Sequence, residues 1–202
     1  MGAFTAMDNS GWSAACVLLA AGAGERFGGG KLLAEFDGAA LYARAMDALP
    51  AEMLVRTAVV SGSEEILAES ARRGFLPVRN DAPEEGVSRS IALGLDAAEP
   101  CSAALFLVGD QPLLTKASVR RILEAGRENP DKIIAPQRPD GRLGNPCLFP
   151  AAFFAELRAL RGDCGGKQVI RAHPEAVFTV TLPEAELFDT DTKEELRQLK
   201  KV

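Results

Sequence analysis

The chain has 202 residues, 47% apolar and 25% charged, a composition ordinary for a soluble globular protein of one large α/β domain. Its formal net charge of -5 leaves no basic footprint for nucleic acid, and the longest apolar run, residues 14–23, is about half of what a bilayer crossing needs. One histidine and four cysteines without a CxxC pair supply a Cys/His zinc site poorly.

Residues 1–13 read as a flexible extension, and residues 14–202 as a single domain. The extension lacks the basic start of a signal peptide, and Ala6 stands where a myristoylation motif wants Ser or Thr, so a cytoplasmic location without a membrane partner is expected. Short β-rich runs then alternate with helix-like stretches. "AACVLLA" reads as a strand, "ALYARAMDALP" as a helix stopped by Pro50, and "TAVVSG" as a second strand. "SEEILAESARRG" reads as a helix with Ser63 as cap and Gly74 as stop, "FLPVRN" as a third strand and "SRSIALGLDAA" as a helix. "SAALFLVGD" is continuous and apolar, as a doubly covered parallel strand should be, and "TKASVRRILEAGRE" follows as an amphipathic helix capped by Thr115. After Pro136 come the turn-rich "QRPDGRLGNP", a helix in "AAFFAELRALRG", an alternating strand in "AVFTVTL" expected at an antiparallel edge, and a surface helix in "TKEELRQLKK". The alternation argues for a doubly wound, mostly parallel sheet.

The first strand runs into "AAGAGERFGGGKLL", a loop with glycines at 22, 24, 28, 29 and 30. So much glycine costs backbone entropy unless bare backbone must touch something, and this loop lies at the strand carboxyl ends, where open α/β sheets bind ligands. Backbone N–H groups there can cradle phosphate oxygens, with Arg26 and Lys31 adding charge. The dinucleotide fingerprint GxGxxG fits Gly22 and Gly24 but meets Phe27 at its sixth position. The ATPase loop fails as well, because Glu25 stands five residues before Gly30 and Leu32 follows Lys31.

Asp110, just past the best strand, is placed to hold a divalent cation against nucleotide phosphates; a turn aspartate satisfying local N–H groups is the alternative. Asp189 and Asp191 are two residues apart and face one side of an extended segment. Asp191 or Thr192 can also cap the last helix, which makes Asp189 the expected second metal ligand. Cys16 and Cys147 sit in apolar stretches as small core residues, whereas Cys164 in "GDCGGK" is expected at the surface. His173 reads as an exposed helix-end residue.

The ordered stretches "LAAGAGERFGGGKL", "EGVSRSIALGL", "GDQP", "GNPCLFP", "RGDCGGKQVI" and "FDTDTKEEL" resemble the MobA-like nucleotidyltransferases over about residues 14–200. "LAAG" and "GDQP" are most similar to the molybdenum cofactor cytidylyltransferase branch. The resemblance implies a three-layer α/β/α sandwich with a Rossmann-like, mostly parallel sheet and an antiparallel edge. It implies that Ala20, Ala21, Gly22, Ala23, Gly24, Arg26, Lys31 and Gly109 hold the triphosphate. Asn80, Gly86, Ser88 and Ser90 would line the base and ribose pocket, and Asn145, Asp163 and Lys167 would border the acceptor. Lys31, Arg26 and Asp110 would carry catalysis, with Mg²⁺ held by Asp110 and Asp189 or Asp191. "GVSRSIALG" stands where the family has GMSSSLRAG, so Arg89 is a departure.

The activity so implied is transfer of CMP from CTP to the terminal phosphate of a molybdopterin-type cofactor, with release of pyrophosphate. A molybdenum hydroxylase or its chaperone would be a delivery partner. Guanylyl transfer, a sugar or polyol phosphate acceptor, and a non-catalytic nucleotide-binding accessory protein remain open alternatives.

Overall fold

A strand covered on both faces must be apolar at consecutive positions, as "AACVLL" and "AALFLV" are. The computed structural model describes residues 11–22 and 24–199. In chain order its regular elements are β1 (Ala14–Leu19), β2 (Glu35–Phe36), β3 (Ala39–Ala40), α1 (Leu41–Asp47), β4 (Arg56–Ser61), α2 (Glu64–Arg72), β5 (Leu76–Arg79) and α3 (Val87–Ala98). They continue with β6 (Ala103–Val108), α4 (Lys116–Glu128), β7 (Ile133–Gln137), β8 (Cys147–Pro150), α5 (Phe154–Ala159), α6 (Lys167–Ala172), β9 (Val177–Thr181) and α7 (Lys193–Leu199). No described helix is long and apolar enough to cross a membrane.

Seven strands form one sheet in the order β5-β4-β1-β6-β8-β7-β9. Successive side chains of β1 point to opposite faces. Cys16 and Leu18 pack with Tyr42, Met46, Ile66 and Ile122, so α1, α2 and α4 cover one face. Ala15 and Val17 pack with Ile91, Leu95, Phe154 and Val169, so α3, α5 and α6 cover the other. The expected three-layer sandwich around a mostly parallel sheet is therefore the observed one. The chain moves outward from β1 to β4 and β5, then returns to β6 on the other side of β1. That reversal puts a switch point at the carboxyl ends of β1 and β6, where a crevice opens.

Four details differ from expectation. The antiparallel strand of this half of the sheet is β8, which pairs with both β6 and β7; β9 at the edge runs parallel to β7. Neither β7 nor β8 carries a strand-length periodic signal, because Pro136 interrupts one and the other is only four residues long. Of the residues expected to form a flexible extension, 1–10 lie outside the described residues, whereas Trp12 packs against the core and Ser13 is buried and joined to Ser102. Ser63 occupies the N-cap position of α2 but its side chain makes no capping bond, whereas Thr115 caps α4 by accepting from the Ser118 N–H at 3.3 Å.

A third, small cluster joins the glycine loop to α7. Phe27 of the glycine loop and Phe36 of the β2–β3 hairpin bury themselves against Leu41 and Leu196 of α7. The loop is thus held from its apolar side while its polar side faces the crevice.

Candidate active site

The glycine loop leaves β1, and Gly109–Asp110 leaves the adjacent, in-register β6. The two approach closely at Gly109, where a Cβ would lie 3.1 Å from Leu32 Cδ2, and the loop folds tightly on itself at Gly24, whose φ of +62° is a left-handed conformation and where a Cβ would lie 2.8 Å from the Lys31 Cβ. Lys31 consequently points back across the crevice. Its Nζ donates to Asp110 Oδ2 at 2.5 Å and to Asp191 Oδ1 at 3.1 Å. Arg26 takes the other oxygen of Asp191 at 2.9 Å.

Asp191 is free for this because it does not cap α7. Thr192 does, accepting from the Glu195 N–H at 3.2 Å, while the Glu195 carboxylate accepts from the N–H groups of Asp191 and Thr192 at 2.8 Å each. Thr190 fastens the segment to β6: its N–H and hydroxyl both donate to the Asp110 carbonyl at 3.0 Å. Asp189 turns inward instead, and accepts from Gln111 Nε2 at 2.9 Å. Burial, and then the negative charge of Asp110, push its carboxyl above the usual range, against the donation from Gln111. Asp191 therefore shares the Lys31 ammonium with Asp110, while Asp189 is turned to Gln111.

Burial disfavours charge on the Lys31 ammonium, but its hydrogen bond and pairing with Asp110, then with Asp191, outweigh this and keep it protonated above its ordinary value. Asp110 Oδ1 is buried and has no hydrogen-bond partner in the structure. Two carboxylates on one point charge, one of them with an orphaned oxygen, form a donor set that suits a hard divalent cation. Among the described residues, no group of three or more His, Cys, Asp or Glu forms a closed metal site, so the remaining ligands would have to come from elsewhere, such as substrate phosphates.

Two recesses meet here. A polar one of about 680 Å³ is lined by Ala21, Gly22, Gly24, Arg26, Lys31 and Asp110, with Gly86, Ser90, Gly109 and Asp191 on its far walls. Beside it lies one of about 500 Å³ with an apolar floor of Ile91, Phe106 and Phe149 and a rim of Asn145, Asp163 and Lys167. Leu19, Val87, Val108 and Asp163 border both.

Three expected ligand contacts lie off the cleft, and Ala23 falls outside the described residues. Ala20 is buried, with its N–H on the Val60 carbonyl and its own carbonyl taken by the Ser61 hydroxyl. Ser88 is buried with its N–H on the Gly162 carbonyl. Asn80 is fully buried: its amide donates to Ser90 Oγ and accepts from the Ala82 N–H and from Arg89 Nε. Arg89, the departure from the family pattern, also pairs with Asp81 and Glu85, so it ties down the segment entering α3. Gly86 at the head of α3 is irreplaceable by contact: φ is +90° and a Cβ would lie 2.3 Å from the Gly162 carbonyl carbon.

Sequence reasoning missed Glu84 on the polar recess, Arg171 on the apolar one, and Gln111. Arg171 could have been found, since it follows Lys167 by four residues and shares its face of α6. Cys164 is exposed on the apolar recess, while burial pushes the thiols of Cys147 up to about 12 and Cys101 up to about 11. His173 is half-buried, bonded to Glu156 and edge-on to Phe153, far from the crevice.

No curated protein sequence matches the chain. Solved structures do. The protein Rv0371c from Mycobacterium tuberculosis H37Rv superposes with a TM-score of 0.78 at 23% identity, covering 95% of this chain and 98% of that one, and it is also known as a manganese complex. A nucleotidyl transferase from Methanothermobacter has a TM-score of 0.77 at 21% identity, over 93% of this chain and 96% of its own. CMP:2-keto-3-deoxy-manno-octonic acid synthetase, complexed with CTP, has a TM-score of 0.69 at 13% identity, over 93% and 97%. The sequence profile of one family matches residues 16–177. With that match over most of its length, and with a glycine-rich loop set against paired carboxylates, the chain belongs to the MobA-like NTP transferase domain family and is a nucleotidyltransferase.

Proposed function

We propose that the protein transfers CMP from CTP to the terminal phosphate of a molybdopterin-type cofactor and releases pyrophosphate. The observation that carries this reading is the pairing of recesses: a polar one built around Lys31 and Asp110 opens into an apolar one rimmed by Lys167. The first suits a triphosphate. The second, with an apolar floor that includes two phenylalanine rings and with Lys167 and Arg171 in its lining, suits a heterocycle carrying a phosphate. The preference for CTP rests on the resemblance of "LAAG" and "GDQP" to the cytidylyl branch, and is supported by the CTP complex of a structural neighbour.

In this reading the amides of the loop after β1, with Arg26 and Lys31, hold the β- and γ-phosphates. Lys167 and Asn145 orient the acceptor so that a phosphate oxygen faces the α-phosphorus. That oxygen forms a bond to the α-phosphorus as the bond to the α,β-bridging oxygen breaks, and pyrophosphate leaves in line. A phosphate nucleophile carries its own negative charge, so no general base is required. The chain's main task is to position two anions and neutralise them. Asp110 and Asp191 would hold Mg²⁺, which supplies charge neutralisation of the phosphates when bound. Lys31 stays at the leaving side and meets the charge that develops on pyrophosphate.

The test is pyrophosphate release from each of the four NTPs with Mg²⁺, with and without the phosphorylated pterin. Release from CTP that requires the pterin supports the reading. Faster release from GTP points to the guanylyl reaction, a requirement for a sugar or polyol phosphate points to another acceptor, and nucleotide binding without turnover points to an accessory role. A molybdenum hydroxylase or its chaperone is the proposed recipient of the product.

A further inference from the structure

We infer that Lys31 is the stand-in cation of the nucleotide-free site, so that a divalent metal enters only together with a polyphosphate. This rests on the assignment of Asp110 and Asp191 as the metal-holding carboxylates. The geometry carries the step beyond it. A single ammonium lies 2.5 Å from one carboxylate and 3.1 Å from the other, with its side chain only 10% exposed. Arg26, 2.9 Å from the remaining oxygen of Asp191, completes a hydrogen-bonded group of two cations and two carboxylates, with the Asp189 carboxyl beside Asp110 and the Glu195 carboxylate on the Asp191 N–H.

A free divalent ion approaching these already paired carboxylates must either displace Lys31 or lie a few ångströms from it. Displacement strands an ammonium without a partner, and coexistence sets like charges against one another in a partly buried place. A triphosphate removes both obstacles, because it brings its own negative charge and offers Lys31 a new partner as the metal takes the carboxylates. The exchange needs little motion. Gly24 holds the Lys31 stem against the loop, so only the flexible end of the side chain must swing from Asp110 towards the phosphates. Lys31 thus selects the metal–nucleotide complex over the bare ion.

The consequence is a pair of effects of opposite sign from one substitution. Removing the ammonium should weaken nucleotide binding and tighten metal binding to the empty protein. A residue that served only as a phosphate contact would do the first alone. The measurement is Mn²⁺ binding, followed by the electron paramagnetic resonance signal of the free ion, in wild type, Lys31→Met and Asp110→Asn, each with and without CTP. Lys31→Gln accompanies Lys31→Met in case the latter fails to fold, and thermal melts check both.

Wild type is expected to bind Mn²⁺ far more tightly with CTP than without. Lys31→Met or Lys31→Gln should bind Mn²⁺ alone at least about tenfold more tightly than wild type, the lower end of the scale for one relieved charge contact between bulk water and a protein surface. Mn²⁺ binding by the Lys31 variants no tighter than by wild type, with Asp110→Asn still abolishing it in the CTP complex, would overturn the inference and leave the metal assignment standing. Unchanged Mn²⁺ binding by Asp110→Asn with CTP would remove the metal assignment and this inference with it.

Discussion

Replacing Asp110 by Asn keeps the planar side chain and the backbone carbonyl that receives both bonds from Thr190, yet removes one unit of charge from the crevice. Lys31 then keeps only Asp191, at 3.1 Å, and the buried oxygen that is orphaned in the wild type ceases to be a candidate metal ligand. Loss of one preorganised electrostatic element costs about 10²–10³ in rate, or about 2.7–4 kcal/mol of barrier. The same change should barely touch folding. The lost Lys31 pair is opposed by relief of the repulsion that helps to push up the Asp189 carboxyl, so the net shift should be about 1 kcal/mol or less. The assay is steady-state pyrophosphate release from CTP with the phosphorylated acceptor at saturating Mg²⁺, with melts as the folding control. Near-wild-type turnover in Asp110→Asn would refute the reasoning that this carboxylate organises the charge of the site.

Gly86→Ala should lose about 1–3 kcal/mol of stability, because the new Cβ meets the Gly162 backbone at a positive φ; a melt within a degree of wild type would contradict this. Under native conditions at pH 8, iodoacetamide should label Cys164 alone, read by peptide mass mapping, since Cys16, Cys101 and Cys147 are held protonated chiefly by burial. Cys164→Ser should retain turnover, and its complete loss in a folded protein would assign the thiol a chemical part. Hydrogen bonding to Glu156 holds the His173 imidazole above its ordinary value, so its contribution to stability is complete below about pH 6.5 and is lost as pH rises through the elevated value. His173→Gln should flatten the fall in melting temperature over that window; an unchanged slope would exclude this pair as its source.

The central half of the fold was legible because its signals are local and redundant. β1 and β6 are unbroken apolar runs, Thr115 is a cap with a helix behind it, and five glycines within nine residues mark the loop between β1 and β2. The far half was less so. β8 is a four-residue strand whose direction depends on partners distant in sequence, and β9 has the alternation of a half-exposed edge whichever way it runs. At the site, residue types were readable and orientations were not. Spacing put Asp189 and Asp191 on one side, but the Thr192–Glu195 capping box releases Asp191 towards Lys31 while Gln111 draws Asp189 inward. Asn80 is spoken for by Arg89 and Ser90, contacts that follow only from the packing of α3 beneath the crevice.

The central claim is that the phosphate cradle and the apolar recess together perform cytidylyl transfer to a phosphorylated heterocycle. Its most direct measurement is the initial rate of pyrophosphate release from CTP, and separately from GTP, with Mg²⁺ and purified molybdopterin-type cofactor. Release is expected to need the cofactor, to yield its cytidine dinucleotide form by mass, and to be faster with CTP than with GTP. Equal or faster release with GTP, or nucleotide binding without any release, would contradict it.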